Sequence, residues 1–388
     1  MKYSFKKINI EAPFPTTACG HSCQTVLMSE FKDHLFARVV GFKDETNWII
    51  HISFDLLAFD LKHRDMLQEE LRKFYQDENL HLITSATHTH YANSVRDPKY
   101  IDYLYDLLVK EIEVMEYRET GNITTSYQRE YTRAVGKSRI SGYETNNENL
   151  CLMRFYEDGT NFLNIVYNNC HPTTLDANTP FFSAEYPGYV LKKLEEKYKN
   201  CDFTFVQGAS GDISSRFVRN GQSYADMEEL ALRLYSQIED MMSKFVNKNT
   251  LALDYKEIEI PYEHEFTPID LSNLRNDLTE RELETIRIGS IEREKLKEQS
   301  NLIFDRLASK AVVSVFNIGS VKLVFYPNEI FSAYMDYLDL DKSILISYSN
   351  GYGPYILPID FPFITYEMFT DTLTRNTKER IIDTLRNI

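Results

Sequence analysis

The chain has 388 residues, 43% of them hydrophobic, and a formal net charge of −15 at pH 7. This composition excludes an intrinsically disordered chain, and the length allows one large domain or two smaller ones. The negative charge argues against nucleic acid or an anionic membrane as the main partner, because either would select a basic surface. A neutral or cationic small substrate is favoured instead.

The N-terminal segment, the apolar runs and the cysteines of the sequence predict the cellular compartment of the protein. The N-terminal residues lack the apolar stretch of a signal peptide, and no run of about 18 apolar residues could cross a membrane. Five cysteines show no disulfide framework, which favours a soluble cytoplasmic protein. The stretch CGHSC, residues 19–23, could form half of a zinc site, but no second pair follows it, so free cysteines are the favoured interpretation.

Strand-like and helical runs alternate near the N-terminus. Residues 34–42 and 47–55 are rich in β-branched and aromatic side chains and predict strands. Residues 61–76 show apolar positions at helical spacing, and residues 81–86 predict the next strand. This order predicts a parallel crossover with His88 past the carboxyl end of its second strand, where open α/β sheets bind ligands.

The middle of the chain is richer in predicted strands. Residues 124–135 predict one strand, and residues 151–157 and 162–169 predict a hairpin around the turn-like DGT. Residues 203–209 predict a buried strand, which a glycine-containing loop and a helix over about 223–246 follow. Parallel and antiparallel pairs together predict an α/β fold with a mixed β-sheet core flanked by helices.

Residues 271–310 form the most charged part of the chain. Residues 280–298 predict one or two solvated helices, with Gly289 as a possible break. A surface hairpin is the favoured interpretation, and a lid or an oligomer contact is the alternative. Because no repeat or low-complexity linker marks a boundary, we predict a single domain over residues 1–388 with 271–310 as a helical insertion.

Two histidine motifs are candidates for metal binding. His88 and His90 form an H-x-H pair after a predicted strand, and alternate strand residues point the same way, so both imidazoles are expected on one face. The pair alone fits either a metal site or a histidine-rich strand end. His171, in NNCHPTTL, follows another predicted strand, and Pro172 forces an extended exit. By itself His171 fits a metal ligand or a hydrogen-bonded structural histidine.

The loop FVQGASGDIS, residues 205–214, carries Asp212 and Ser214 at its tip. Gly208 and Gly211 permit tight turns whose N–H groups could hold an anion or a developing oxyanion, although such loops also occur as plain turns. The loop lacks the G-x-S-x-G elbow, so a serine-hydrolase triad is not indicated.

Four motifs, HTHY, NNCHPTTL, SAEYPGY and FVQGASGDIS, follow one another as the corresponding motifs do in the neutral, non-lysosomal ceramidases. The chain resembles the catalytic domain of that family. The resemblance implies a ceramidase-like mixed α/β domain with Zn2+ bound at strand ends. It also implies that His88 and His171 are zinc ligands and that Ser214 is the essential serine of the family.

The family completes its zinc site with a glutamate and a tyrosine further along the chain. Glu329, in VKLVFYPNEIFSAY, matches the glutamate and is predicted after a strand and at the start of a helix. Tyr355, in NGYGPYI, matches the tyrosine, and Tyr366-Glu367 resembles a further Tyr-Glu of the family. Two imidazoles, a carboxylate and a phenol oxygen suit zinc, and a bound water would be acidified to near neutral pH.

The remaining site residues receive roles from the same resemblance. His90 is expected to shuttle a proton or donate a hydrogen bond to the tetrahedral intermediate. Ser214 is expected to orient the substrate, with a nucleophilic role as the alternative. Asp212 is expected to hold the loop or a histidine ligand in place, and Tyr366 to position the substrate.

The chain also departs from the family pattern. YANSV replaces a glycine-rich segment after H-T-H, Glu185 replaces an aspartate, and the substrate-side arginine has no clear counterpart beyond Lys137 or Arg139. The chain stops near Ile388, which leaves no room for the C-terminal immunoglobulin-like domain of the family.

These features predict a zinc-dependent hydrolase of a linear amide in an N-acyl lipid or a smaller N-acyl compound. A zinc-dependent esterase and a non-catalytic zinc-binding relative are the alternatives. The oligomeric state is left open.

Overall fold

The computed structural model describes residues 1–20, 27–145, 147–298 and 307–388. His21 and Cys23 of the CGHSC stretch lie outside the described residues, so the interpretation of that stretch stays a prediction. Cys19 is buried.

The strands are β1 (Lys2–Asn9), β2 (Phe36–Lys43), β3 (Trp48–Phe54), β4 (Leu80–Ala86), β5 (Arg118–Glu119), β6 (Ile123–Tyr131), β7 (Lys137–Ser138), β8 (Asn149–Glu157), β9 (Thr160–Asn168), β10 (Asp202–Gln207), β11 (Ile213–Ser214), β12 (Asn249–Thr250), β13 (Leu253–Pro261), β14 (Lys310–Ile318), β15 (Val321–Phe325), β16 (Asn328–Ile330), β17 (Ser343–Ile346) and β18 (Gly353–Ile356). The α-helices are α1 (Leu61–Tyr75), α2 (Pro98–Glu113), α3 (Glu185–Lys197), α4 (Tyr224–Ser243), α5 (Glu280–Lys297), α6 (Tyr366–Thr370) and α7 (Arg375–Asn387). Short 3₁₀ turns span Ser215–Phe217, Leu271–Asn273 and Ser332–Tyr337.

Three mixed sheets carry most of these strands. Their strand orders are β4-β3-β2-β1-β5, β10-β9-β8-β6-β12 and β13-β14-β15-β17. Each contains one parallel pair, namely β3 with β4, β9 with β10, and β15 with β17, among antiparallel neighbours. Two small ladders, β7 with β11 and β16 with β18, complete the strand pairing of the described residues. The predicted mixed α/β fold is confirmed.

The three sheets share one apolar core. Phe42 from the first sheet, Phe155 from the second and Phe325 from the third belong to the same buried cluster. Because strand side chains alternate, the neighbouring residues face the other side of each sheet. There α1 and α2 cover the first sheet, α3 and α4 the second, and α7 the third. Helices therefore surround a centre built from three sheets.

Local sequence signals explain the predicted elements that are confirmed. Asp60 caps α1 by accepting a hydrogen bond from the third helical N–H, and Leu67 and Leu71 bury one helix face, so α1 crosses between the parallel strands β3 and β4. The hairpin of β8 and β9 turns through Asp158 (φ 48°) and Gly159 (φ 89°). Both turn residues are left-handed, as two-residue hairpin turns of this kind require.

The predicted break at Gly289 is wrong, because α5 is continuous from its capping box at Thr279 and Glu282. Gly289 is buried where α5 packs on α6, and an added Cβ would lie 3.2 Å from the Phe369 side chain. The helix is therefore not solvated on all sides. No helix in the described ranges is long and apolar enough to span a membrane.

The parallel strands of the three sheets have their carboxyl ends in the same region of the molecule. His88 follows β4, His171 follows β9, and Glu329 follows β15. A bridge between Gly208 and Ile346 joins the ends of the second and third sheets. The candidate functional residues therefore meet where the three sheets converge, as ligand sites do in α/β proteins.

Candidate metal centre

His88 is held by a strained turn and not by a strand. The strand β4 ends at Ala86, and His88 has φ 65°, so the prediction that the H-x-H pair lies on a strand is wrong. The left-handed residue reverses the chain and still brings both imidazoles to one place, with ring centroids 5.0 Å apart. The ring of Tyr348 stacks on that of His88 at 3.7 Å.

A backbone carbonyl sets the tautomer of His88. Nδ1 of His88 lies 2.7 Å from the carbonyl oxygen of Leu57 and must donate its proton there. Nε2 of His88 then carries a lone pair that faces into the site. A hydrogen bond of this kind orients many metal-binding histidines.

Three imidazoles meet at their Nε2 atoms. His90 Nε2 lies 3.3 Å from His88 Nε2 and 3.1 Å from His171 Nε2. One proton on His90 can satisfy only one of these contacts, so at least one pair brings two lone pairs together. Burial and the nearby His88 hold the pKa of His171 well below its usual range, so this ring stays neutral. The candidate ligand atoms of the three histidines lie within 4.8 Å of one another.

Glu329 adds a buried carboxylate to the cluster. Its Oε2 lies 3.5 Å from His88 Nε2 and accepts no hydrogen bond from the described residues, whereas Oε1 accepts one from the Tyr352 hydroxyl at 2.5 Å. The predicted helix start at Glu329 is wrong, because the residue lies in β16, which pairs with β18.

Tyr355 lies beside Glu329 in this ladder. The two residues are direct partners in the parallel pairing of β16 and β18, so their side chains share a face. Tyr355 is buried, and its ring lies 6.0 Å from that of Tyr366 and 5.1 Å from the Arg139 guanidinium carbon. Burial raises the pKa of the Tyr355 hydroxyl well above its usual value. Its neighbour Tyr352, which the sequence prediction missed within the same NGYGPYI motif, makes the direct contact with Glu329.

The glycine loop supports the site with its backbone. The N–H groups of Gly208 and Gly211 donate to the carbonyls of Asn168 and Ile330, so the prediction that they hold an anion is wrong. A Cβ on Gly211 would lie 2.8 Å from the carbonyl oxygen of Glu329, which explains the glycine. Further along, Ser214 bridges to His171 through the backbone and lines the cavity described below.

Asp212 braces this loop against the third sheet. Its carboxylate accepts hydrogen bonds from the Ser332 backbone N–H at 2.6 Å and from the Ser332 hydroxyl at 2.8 Å. It therefore connects the loop that carries Ser214 with the segment that follows Glu329. Burial raises the pKa of Asp212 to about 6.

We expect the Asp212→Asn variant to show a changed dependence of stability on pH. The raised pKa means that the native state binds the proton more tightly than the unfolded state does, so stability is lost as pH rises from about 4 to 6. The loss is on the order of 3 kcal/mol and is absent in the isosteric amide. Urea unfolding at pH 4.5 and 7.5 measures the difference, with the exposed Asp341→Asn as control. An equal pH slope in wild type and Asp212→Asn would contradict this account.

Arg139 directly follows β7, which pairs with β11, the short strand that contains Ser214. Its Nη2 forms a largely buried ion pair with Glu367 at 2.7 Å and donates to the Gly211 carbonyl at 2.8 Å. Burial alone would lower the pKa of Arg139, but Tyr355 and Glu367 raise it above its usual value. Lys137 and Arg139 are the two candidates for a basic residue on the substrate side. Arg139 lines the cavity, whereas the Lys137 ammonium lies over the Phe217 ring.

Glu185 stabilises the loop that carries His171. It has φ 56°, and its Oε1 accepts hydrogen bonds from the backbone N–H groups of Thr174 and Leu175 at 2.7 and 2.8 Å. This carboxylate therefore fixes the turn directly after His171-Pro172. Its role in the described contacts is to position the loop.

A cavity of about 670 Å³ opens onto these groups. That volume lies in the range of small-molecule sites. Its inner end is lined by His90, His171, Ser214, Glu329, Tyr352, Tyr355, Tyr366 and Glu367. One face of α5 forms an outer wall through Arg281, Thr285, Ile286 and Ile288. The charged segment therefore covers part of the cavity, which agrees with the lid alternative better than with a free surface hairpin.

The donor set fits a metal ion. Three imidazoles that meet at their Nε2 atoms and a buried carboxylate oxygen that accepts no hydrogen bond from the described residues are costly to bring together unless a cation joins them. Nitrogen and oxygen ligands from distant parts of the chain, next to an open cavity, are typical of catalytic metal sites. His88, His90, His171 and Glu329 are the residues that could hold the ion.

Comparison with known proteins supports this architecture at the level of fold. No protein-family model and no curated protein sequence matches the chain. A neutral ceramidase from Pseudomonas aeruginosa superposes with a TM-score of 0.72 at 14% identity, covering 99% of this chain and 73% of that one. A ceramidase complexed with C2 gives 0.75 at 14% identity, covering 99% and 74%. The chain therefore has the fold of the neutral ceramidases over nearly its whole length, as its motifs predict.

Proposed function

We propose that the chain is a zinc-dependent hydrolase of linear amide bonds, acting on an N-acyl lipid or a smaller N-acyl compound. The observation that carries the proposal is that three imidazoles meet, at the inner end of a cavity, a carboxylate oxygen of Glu329 that accepts no hydrogen bond from the described residues. The fold shared with two ceramidase structures favours amide hydrolysis. We further propose that residues 1–388 act as one catalytic domain, with 271–310 as an insertion that walls the cavity.

The proposed ligands are His88, His171, Glu329 and Tyr355, and His90 is the alternative to Tyr355 as the fourth ligand. Zinc bound there would polarise the scissile carbonyl and acidify a water molecule. Leu57 keeps the lone pair of His88 Nε2 directed into the site, and Tyr352 holds Glu329 by its other oxygen.

The residues around the ligands have separate tasks in this proposal. His90, which is half-buried at the cavity end, accepts and returns a proton during amide cleavage. The Ser214 hydroxyl orients the substrate, Tyr366 contacts it from the opposite wall, and Asp212 keeps the Ser214 loop in place.

Substrate screening tests the reaction class. Zinc-replete protein is assayed with fluorogenic N-acyl amides of several chain lengths and with the matched esters, with the His88→Ala variant as control. We expect amide turnover that His88→Ala abolishes. Turnover of esters alone would replace the proposal with an esterase, and turnover of neither class would indicate a non-catalytic relative.

His90 gives a second test, because a proton carrier and a metal ligand differ in their effect on bound zinc. We expect His90→Ala to keep near-wild-type zinc content while amide turnover falls by about 10²–10⁴-fold, the usual contribution of general acid–base catalysis. Metal analysis and turnover are measured on the same sample. Loss of zinc together with activity would instead make His90 the third imidazole ligand, with Tyr355 left as a hydrogen-bond donor.

A further inference from the structure

Three arginines line one side of the cavity without a carboxylate partner. Arg216 and Arg219 follow Ser214 on one short segment, and Arg281 projects from the first turn of α5. In the described part of the chain none of the three forms an ion pair with an aspartate or glutamate. By contrast, Arg139 pairs with Glu367.

Arg216, Arg219 and Arg281 line the same cavity, so their positive charges oppose one another there. Burial, and after it the charge of Arg281, lowers the pKa of both Arg216 and Arg219. Like charges that nearby glutamates compensate only in part are unfavourable in the free protein. An anion placed among them would relieve this repulsion and gain charge-assisted hydrogen bonds.

The two acidic side chains that α5 contributes to the cavity wall, Glu282 and Glu292, have other partners. Glu282 accepts hydrogen bonds from the Thr279 N–H and hydroxyl, which fixes it at the start of α5. Glu292 pairs with Lys295 at 2.8 Å. Glu282 offsets part of the positive charge at Arg216, while its Oε2 accepts both hydrogen bonds of the helix cap.

The arginines lie directly beside the proposed reaction centre. Arg219 donates to the carbonyl oxygens of Thr173 and Thr174, in the loop that follows His171. Arg216 stands two residues after Ser214, and its backbone N–H donates to the Ser214 hydroxyl at 3.3 Å. A ligand bound to the arginines would therefore also reach the catalytic end of the cavity.

We propose that Arg216, Arg219 and Arg281 form an anion subsite, and that the natural substrate is an amide with a carboxylate or phosphate group near the scissile bond. This inference rests on the proposed amide hydrolysis and adds the substrate class. It reverses the expectation of a neutral or cationic substrate, because the net charge of −15 describes the whole chain and not this cavity.

Matched substrates test the subsite. N-acyl amino acids are compared with their methylamides, and phosphate monoesters of N-acyl amino alcohols with the free alcohols, so that the two arms separate carboxylate from phosphate. We expect one anionic form to exceed its neutral partner at least about tenfold in kcat/KM. Arg216→Gln and Arg281→Gln should bring this ratio close to one. Arg287→Gln, on the same helix but paired with Glu284 in solvent, should leave it unchanged.

Calorimetric binding of inorganic phosphate gives a readout that does not depend on turnover. The affinity for phosphate should fall about tenfold in Arg216→Gln and Arg281→Gln and stay unchanged in Arg287→Gln. Equal turnover of charged and neutral substrates, with phosphate binding unaffected by either variant, would overturn the subsite and leave amide hydrolysis intact. Turnover of neither class, with phosphate binding that depends on these arginines, would overturn the proposed function and keep the anion site.

Discussion

Replacing His88 or His171 by alanine is expected to remove bound zinc and reduce amide turnover to background. Each change deletes an imidazole whose Nε2 faces the cluster, and the loss of a direct ligand should exceed the 10–100-fold cost in metal affinity that outer-shell changes typically cause. Metal analysis after gel filtration measures zinc per chain. The exposed His34→Ala is the matched control.

Zinc-dependent stability gives an independent measure of the same prediction. A ligand at 100 times its Kd stabilises the folded state by about 2.7 kcal/mol, so wild type and His34→Ala should melt at higher temperature with added zinc. The His88→Ala and His171→Ala variants should show no such shift. If both variants kept one zinc per chain and the same thermal shift, the proposed centre would be wrong.

Removing Arg139 is expected to cost about 3–5 kcal/mol of folding stability. Arg139→Met leaves Glu367 as a largely buried carboxylate without its ion-pair partner, and an uncompensated buried charge is strongly destabilising. Glu367→Gln should cost a similar amount for the same reason. The double variant should recover at least half of the summed loss, because neither charge then remains unpaired.

Urea unfolding of the two single variants and the double variant gives the coupling energy. The control is Arg375→Met, whose pair with Asp360 is exposed and should contribute less than about 1 kcal/mol. Arg139→Met should also lower turnover, since Arg139 packs on the Tyr355 ring beside Glu329. If Arg139→Met lowered the free energy of unfolding by less than about 1 kcal/mol and the coupling energy were zero, the ion pair with Glu367 would not contribute to stability.

Sequence patterns predicted the elements whose signals are local. The helix over residues 61–76 appears as α1, because capping and apolar spacing act within one helix. The DGT hairpin appears because Asp158 and Gly159 supply the left-handed turn. Such features need no knowledge of distant residues. Two of the failed predictions, at Gly289 and at the H-x-H strand, concern places where packing against another element overrides the local signal.

In the candidate site too, some residues could be predicted from the sequence and others only from the packing of distant segments. The order of the motifs predicted that His88, His171, Glu329 and Ser214 belong to one site. The structure places all four residues where the three sheets converge. Tyr352 was missed, although it stands three residues before Tyr355, because only the pairing of β16 with β18 shows which tyrosine reaches the Glu329 carboxylate.

The sequence by itself determined the mixed α/β class, the ceramidase-like order of motifs and the residue types suited to a metal. Composition, periodicity and short motifs carry that information along the chain. Only the tertiary structure decided that His90 stands as close to His88 and His171 as a ligand would and that glycine N–H groups are used inside the fold. It also decided that three arginines without an ion pair to any described carboxylate line the cavity. Those facts depend on distances between segments up to hundreds of residues apart, which packing of the three sheets fixes and local sequence does not encode.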